Sequence, residues 1–236
     1  MKSLITVTDK KEAEQILSTE TDIIDIKNPE EGSLGANFPW IVEEIVETVS
    51  DTFEISLAIG DVPNLPGTVS FAVAGAAKYS PDYIKIGLLG PETVDKAVNL
   101  LKKCRRAIKD IDKDIKVVGA LYADYQRCGS INPLKLPEIG EKAGADLIMV
   151  DTAVKDGKNI FDHMSLEELK KFVEKSHEKG LETALAGSLR KEHVEKVREI
   201  KGDIFGVRGA VCDENVREAS ISREKTEKLV EKIKKG

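Results

Sequence analysis

Tyr83-Ile84-Lys85-Ile86-Gly87-Leu88-Leu89 is the stretch that decides the fold, because a Gly90-Pro91 turn signal and a long amphipathic segment over 92–109 follow it. A short apolar run bounded by turn residues is typical of a strand buried on both faces. An amphipathic segment of that length predicts a helix. Together they predict one strand-helix unit of a parallel sheet.

The same strand-helix pattern recurs along all 236 residues. We predict strands over 3–8, 22–27, 53–59, 83–89, 116–123, 147–152, 182–188 and 204–211. Helices are predicted over 9–18, 39–50, 67–79, 92–109, 134–143, 165–179, 190–200 and 219–235. Eight units of about thirty residues predict an α/β fold, a closed (β/α)8 TIM barrel, rather than an open doubly wound sheet. No linker divides the chain, so 1–236 is predicted to be one domain.

Helix-start signals support three of these boundaries. Asp9 follows the first predicted strand and can cap the helix after it. Pro91 is predicted to open the fourth helix, because proline is favoured in a first helical turn. Ser165 and Glu168 have the spacing of a capping box.

Composition excludes several classes of function. The net charge is −6, and lysines and glutamates alternate along the helical stretches, which argues against a nucleic-acid-binding surface. The cysteines and histidines are dispersed, so neither a disulfide framework nor a metal site is indicated, and no cofactor motif is present. No apolar run approaches the length of a membrane span and no signal peptide is visible, so we expect a cytoplasmic protein without membrane contact.

Two lysines, Lys27 and Lys85, lie inside predicted strands. Alternate residues of a barrel strand face the interior, which predicts that both lysines, Asp25 and Asp151 point inward while the intervening isoleucines face the helices. Burying an ammonium group is costly, so lysines there indicate amine chemistry, including a Schiff base with a carbonyl substrate. The alternative is a structural ion pair, such as Asp25 with Lys27.

The loops after the last two strands predict a phosphate-binding corner, formed by Gly187, Ser188, Arg208 and Gly209. Barrels that bind phosphorylated substrates commonly hold the phosphate at this place. Glycines allow close backbone approach, a serine hydroxyl can donate, and a guanidinium can bind an anion with two hydrogen bonds. Ordinary turn chemistry explains each motif alone, but their joint placement favours a phosphorylated small molecule as substrate.

Three further features each have more than one interpretation. Lys155 follows the sixth strand and could lie over the barrel mouth or be an exposed loop lysine. The glycine-rich loop 28–37 could be a closing lid or a second anion contact, or it could be an ordinary mobile surface loop. The small-residue helix around 68–77 fits either close packing on the sheet or a subunit interface. The sequence is therefore compatible with a homo-oligomer.

Together, these segments closely resemble the archaeal (5-formylfuran-3-yl)methyl phosphate synthase family. The resemblance runs essentially end to end and is carried by 25–29, 32–36, 83–87, 149–157, 186–189 and 206–212. It implies a TIM-barrel lyase of methanofuran biosynthesis that condenses two molecules of glyceraldehyde 3-phosphate into a phosphorylated furan aldehyde, releasing phosphate and water.

The resemblance also implies roles for five residues. Lys27 would be the Schiff-base lysine and Lys85 the proton acceptor and donor, with Asp25, Asp151 and Lys155 as supporting catalytic groups. A Schiff-base aldolase or phosphosugar isomerase on the same barrel would use the same lysines and phosphate corner. A barrel that only binds a phosphorylated metabolite would not need a buried amine.

Overall fold

Eight parallel strands close into a barrel in chain order, with the last strand paired to the first. The structure is a computed structural model that describes residues 1–49, 52–109, 111 and 114–235. The predicted single-domain TIM barrel is confirmed. Within these residues no helix is long and apolar enough to cross a membrane.

The strands and helices alternate along the chain. The strands are β1 (Lys2–Val7), β2 (Ile23–Ile26), β3 (Glu54–Asp61), β4 (Tyr83–Gly87), β5 (Lys116–Tyr122), β6 (Leu147–Asp151), β7 (Glu182–Leu185) and β8 (Ile204–Val207). The helices are α1 (Lys10–Ile16), α2 (Pro39–Val49), α3 (Pro66–Ala77), α4 (Val94–Ile108), α5 (Tyr125–Cys128), α6 (Leu136–Ala143), α7 (Leu166–His177), α8 (Val194–Glu199) and α9 (Arg223–Lys234).

Every predicted strand and helix overlaps an observed one, and the differences lie at the ends. β7 and β8 end earlier than predicted, and in β7 the reason is the backbone turn at Gly187 and Ser188, whose φ values are +99° and +51°. The helix predicted over 190–200 begins as a 3-10 turn at 191–193, and the short helix α5 was not predicted. Position 50 of the second predicted helix lies outside the described residues.

Two of the three predicted helix starts are confirmed. Asp9 accepts a hydrogen bond from the backbone of Glu12, and Ser165 forms a reciprocal capping box with Glu168. The expectation for Pro91 was wrong, because α4 begins at Val94 with the Thr93 hydroxyl as its cap. The side-chain cap at Thr93 can satisfy a free backbone N–H group of the first turn, which a proline cannot do.

The core has two layers, as the alternation of strand residues predicts. The isoleucines of β2 and β4 that flank Asp25 and Lys85 pack between the sheet and the helices. The barrel interior holds a second apolar cluster that includes Leu4, Ile23 and Met149. Polar and charged side chains replace apolar ones toward the carboxyl ends of the strands, and this end of the barrel carries the candidate site.

Candidate active site

A cavity of about 240 Å³ opens at the carboxyl ends of the strands. The structure brings most of the predicted site residues to its wall: Asp25, Lys27, Asp151, Lys155, Gly187, Ser188, Arg208 and Gly209. Lys85 is the exception. It lines a separate space of about 10 Å³ inside the barrel, and Leu4 and Met149 line both spaces. Lys85 can therefore reach the main cavity only through a neighbouring side chain.

That neighbour is Asp25. The Nζ atom of Lys85 lies 2.6 Å from Oδ1 of Asp25, in a contact whose angles are not those of a hydrogen bond. The second carboxylate oxygen of Asp25 accepts a hydrogen bond of 3.0 Å from the Thr6 hydroxyl. The alternative interpretation, an ion pair between Asp25 and Lys27, is not what forms. Lys85 reaches Asp25 across β3, where the small residues Ser56 and Ala58 occupy the register between β2 and β4.

Asp151 and Lys155 form a second ion pair at the mouth. Lys155 Nζ lies 2.7 Å from Asp151 Oδ1 and 3.0 Å from the hydroxyl oxygen of Thr152. Burial alone would raise the pKa of Asp151, but the charges of Lys155 and Lys27 outweigh it and hold that pKa at about 2. The Lys155 side chain is 18% exposed, so it lies over the mouth and is not an ordinary surface lysine.

Lys27 differs from the other two site lysines because its amine is free. In the described part of the chain, no side chain or backbone oxygen forms an ion pair or hydrogen bond with Lys27 Nζ. Burial lowers the pKa of Lys27 to about 8; Asp151 opposes the shift and Lys85 adds to it. A lysine of this pKa has a substantial neutral fraction near neutral pH, and the neutral amine is the form that attacks a carbonyl.

The loop that carries Lys155 is held by a residue that the sequence analysis missed. Asp124 is 2% exposed, and its carboxylate accepts backbone hydrogen bonds from Ala153 at 2.7 Å and Val154 at 2.9 Å. A carboxylate that accepts two backbone N–H groups fixes a loop strongly. An aspartate two residues beyond the end of β5 was the available signal.

The loop 28–37 is well packed against residues at the carboxyl ends of the strands. Leu34 is fully buried in the apolar cluster of the barrel interior, and the Ser33 hydroxyl donates to the carbonyl oxygen of Thr152 at 2.8 Å. The carboxylate of Asp61 accepts hydrogen bonds from the Leu34 backbone and from the Tyr122 hydroxyl. These contacts show a packed loop next to the site, and its role as a closing lid stays a prediction.

The four residues of the predicted phosphate corner line the cavity, but the arginine among them is already bound within the protein. The Arg208 guanidinium donates to both carboxylate oxygens of Glu12, at 2.9 Å and 3.2 Å, and the two side chains are almost wholly buried. It also donates to the carbonyl oxygens of Thr6, Arg217 and Ala219. Arg208 thus ties β8 to α1, and a direct contact with phosphate stays a prediction.

Arg217 also lines the cavity, close to the predicted phosphate corner, and the sequence analysis missed it. It lies in the segment 212–222, here called the strap, which runs from the 3-10 turn after β8 to the start of α9. Within the described residues, no group of three or more histidine, cysteine or acidic side chains is arranged to hold a metal ion.

Comparison with known proteins shows the family of the chain. Residues 3–230 match the model of the 4-HFC-P synthase family. The chain belongs to this family. It is 50% identical to the (5-formylfuran-3-yl)methyl phosphate synthase of Methanosarcina barkeri, with 98% of each chain covered. It is 48% identical to the protein of the same name from Methanocaldococcus jannaschii, with 98% of this chain and 99% of that one covered.

Solved structures show the same barrel at much lower sequence identity. A 3-hexulose-6-phosphate synthase is 13% identical with a TM-score of 0.65, covering 97% of this chain and 99% of that one. KGPDC from Streptococcus mutans is 16% identical with a TM-score of 0.67, covering 99% of this chain and 97% of that one. At these sequence identities the likeness of this chain to the two solved structures concerns the fold alone.

Proposed function

We propose that this synthase condenses two molecules of glyceraldehyde 3-phosphate into (5-formylfuran-3-yl)methyl phosphate, in methanofuran biosynthesis, through a Schiff base on Lys27. The free, buried amine of Lys27 is the observation that carries the proposal. The reaction balances when the two trioses lose one phosphate and two water molecules. The family membership and the names of the relatives support this product.

The first step uses Lys27 as a nucleophile. Its neutral amine attacks the aldehyde carbon of one triose, and loss of water leaves an iminium ion. The iminium withdraws electrons from the neighbouring carbon, so a base can remove a proton there and give an enamine. The enamine carbon then attacks the aldehyde carbon of the second triose. The imine supplies the electron sink for forming the carbon-carbon bond.

The two ion pairs serve as proton-transfer groups on either side of Lys27. Asp25 lines the cavity and touches Lys85 beneath it, so a proton can pass between Lys85 and the substrate through the Asp25 carboxylate. Asp151 and Lys155 stand at the mouth, where they can assist the loss of water and phosphate. General acid–base groups of this kind contribute about 10²- to 10⁴-fold in rate.

Incubation of the purified protein with glyceraldehyde 3-phosphate alone tests the proposal. We expect a furan absorbance to appear together with one phosphate for each furan formed. The Lys27→Ala variant should form no furan, and borohydride should trap a triose adduct at Lys27 in the unsubstituted protein. Formation of an aldol product or of dihydroxyacetone phosphate without furan would refute the proposal in favour of an aldolase or an isomerase.

A further inference from the structure

Arg217 lies next to the glycine of the predicted phosphate corner. A Cβ built at Gly209 would lie 3.8 Å from Cβ of Arg217, so the two residues are in van der Waals contact range. Both line the main cavity together with Ser188. A phosphate held by the backbone of this corner would therefore lie beside the Arg217 side chain.

The Arg217 guanidinium is only partly satisfied by the protein. One terminal nitrogen donates to the carbonyl oxygens of Pro29 at 3.4 Å and Gly32 at 3.3 Å, both long contacts. Its ion-pair partner is Glu218, 3.8 Å away and largely exposed. Two of the three guanidinium nitrogens thus have no hydrogen bond to a described residue. A half-buried guanidinium with free N–H groups is suited to bind an oxyanion with two hydrogen bonds.

The backbone that carries Arg217 is held firmly by Arg208. The Nε atom of Arg208 donates to the carbonyl oxygen of Arg217 at 2.6 Å, and a terminal nitrogen donates to that of Ala219 at 3.3 Å. Glu12 in turn fixes Arg208 through two charged hydrogen bonds. The strap is therefore anchored at the residue whose side chain faces the cavity, which limits the ordering cost of binding a ligand there.

The other cations of the cavity wall have different partners or positions. Asp151 holds Lys155 and Glu12 holds Arg208 at short distances. Arg190 is exposed at the rim, and the amine of Lys27 carries the imine in the proposed function. Arg217 is the remaining cation, and its carboxylate partner in the part of the chain that the structure describes, Glu218, is 3.8 Å away and largely exposed.

We infer that Arg217 is the arginine that binds the phosphate group of the substrate, together with the Gly187–Ser188 and Gly209 backbone. The inference deepens the proposed function, on which it rests for the class of ligand, a three-carbon phosphate ester. It also assigns the role of phosphate-binding guanidinium, predicted for Arg208, to Arg217. The link from Arg217 to Pro29 and Gly32 connects phosphate binding to the loop 28–37.

Calorimetric titration with glycerol 3-phosphate tests this assignment without the imine chemistry, because that compound has no carbonyl group. The unsubstituted protein should bind glycerol 3-phosphate and should not bind glycerol. Arg217→Ala should weaken the binding by about 10- to 100-fold, the scale of a lost charged hydrogen-bonding pair. Arg217→Lys should lie between them, because lysine keeps the charge but not the planar fork.

Arg223→Ala is the matched control, since Arg223 belongs to the same part of the chain, is exposed and pairs with Glu227 outside the cavity. It should bind glycerol 3-phosphate as the unsubstituted protein does. Thermal unfolding of Arg217→Ala should match that of the control, which separates lost binding from lost structure. Equal affinity in Arg217→Ala and the unsubstituted protein would overturn the inference, as would no binding to the unsubstituted protein.

The furan assay keeps this result separate from the proposed function. Arg217-dependent binding of glycerol 3-phosphate in a protein that makes no furan would refute the proposed function and leave the inference standing. Furan formation by a protein whose affinity for glycerol 3-phosphate is independent of Arg217 would refute the inference alone.

Discussion

The Nζ atom of Lys85 lies 2.6 Å from Oδ1 of Asp25, with both side chains almost completely removed from solvent. Asp151 and Lys155 form the matching pair at the mouth, 2.7 Å apart. Two carboxylates are therefore balanced by two ammonium groups, and Lys27 is left as a third amine with no ion-pair partner among the described residues. This balance is the physical reason why burial can depress the pKa of Lys27 so far.

Removing Lys85 should damage both stability and turnover. In Lys85→Met the Asp25 carboxylate stays buried without its counter-charge, which costs about 3–5 kcal/mol of unfolding free energy. Turnover should fall by about 10²-fold or more, because the proton-transfer group is lost. Urea unfolding and the rate of furan formation measure the two effects.

The double variant Asp25→Asn/Lys85→Met separates the effect on stability from the effect on turnover. It removes both charges, so much of the unfolding free energy should return while turnover stays low. A Lys85→Met protein with the original stability would show that the ion pair contributes nothing to the fold. Near-normal turnover in that variant would show that Lys85 has no part in proton transfer.

Replacing Lys27 should stabilise the protein at neutral pH. The folded-state pKa is about 8 against an ordinary value of 10.5, so the unfolded chain binds the proton more tightly. Below pH 8 this difference destabilises the folded state by about 3 kcal/mol, and the penalty disappears as pH rises from 8 to above 10.5. Lys27→Met should therefore unfold at higher urea concentration at pH 7.

Lys155→Met is the control for this effect, because Lys155 has a carboxylate partner and its loss leaves Asp151 uncompensated. That variant should be less stable than the unsubstituted protein at pH 7. The gain from Lys27→Met should also shrink as the pH approaches 10.5. If Lys27→Met were destabilised at pH 7 as much as Lys155→Met, that result would contradict the depressed pKa of Lys27.

The pH dependence of imine formation reports the same amine from the kinetic side. Only neutral Lys27 attacks the aldehyde, so the rate of borohydride-trapped adduct formation should rise about tenfold per pH unit below 8. It should level off above pH 8, where the amine is mostly neutral. A rate that is constant between pH 6 and 9 would show that Lys27 titrates outside this pH range or is not the nucleophile.

The sequence predicted the barrel and the inward-facing charges because both follow from local pattern. Strand alternation places Asp25, Lys27, Lys85 and Asp151 on the interior, and the eightfold count predicts the closed sheet. The pairing of Asp25 with Lys85 rather than Lys27 depends on the small side chains of β3, which are distant in sequence. Alternation gives the direction of a side chain but not its partner.

Residues outside regular elements were the ones missed. Arg217 lies between the last predicted strand and the last predicted helix, and its approach to the cavity depends on the carbonyl contacts of Arg208. Arg208 itself was predicted at the right place, but its pairing with Glu12 joins residues 196 positions apart. Contacts of that sequence separation are set by the closed barrel and leave no signal in a local window.

The last prediction concerns the contact that holds the loop 28–37. The Tyr122 hydroxyl donates to Asp61, whose carboxylate also accepts the Leu34 backbone N–H. Tyr122→Phe leaves the Asp61 carboxylate with one hydrogen-bond partner fewer, which lowers the free energy of unfolding by about 1–3 kcal/mol. The loop should then open more often, so amide exchange at 28–37 should accelerate and KM for the triose phosphate should rise.

Tyr83→Phe is the matched control at the opposite end of the barrel, where the Tyr83 hydroxyl donates to Glu54 at 2.8 Å. It also removes one hydroxyl from an inward-facing tyrosine, so a comparable loss of unfolding free energy is expected. Amide exchange at 28–37 and KM should stay unchanged in Tyr83→Phe, because Glu54 has no contact with the loop. Equal exchange rates at 28–37 in the two variants would show that the Tyr122 contact with Asp61 contributes to stability alone and does not hold the loop.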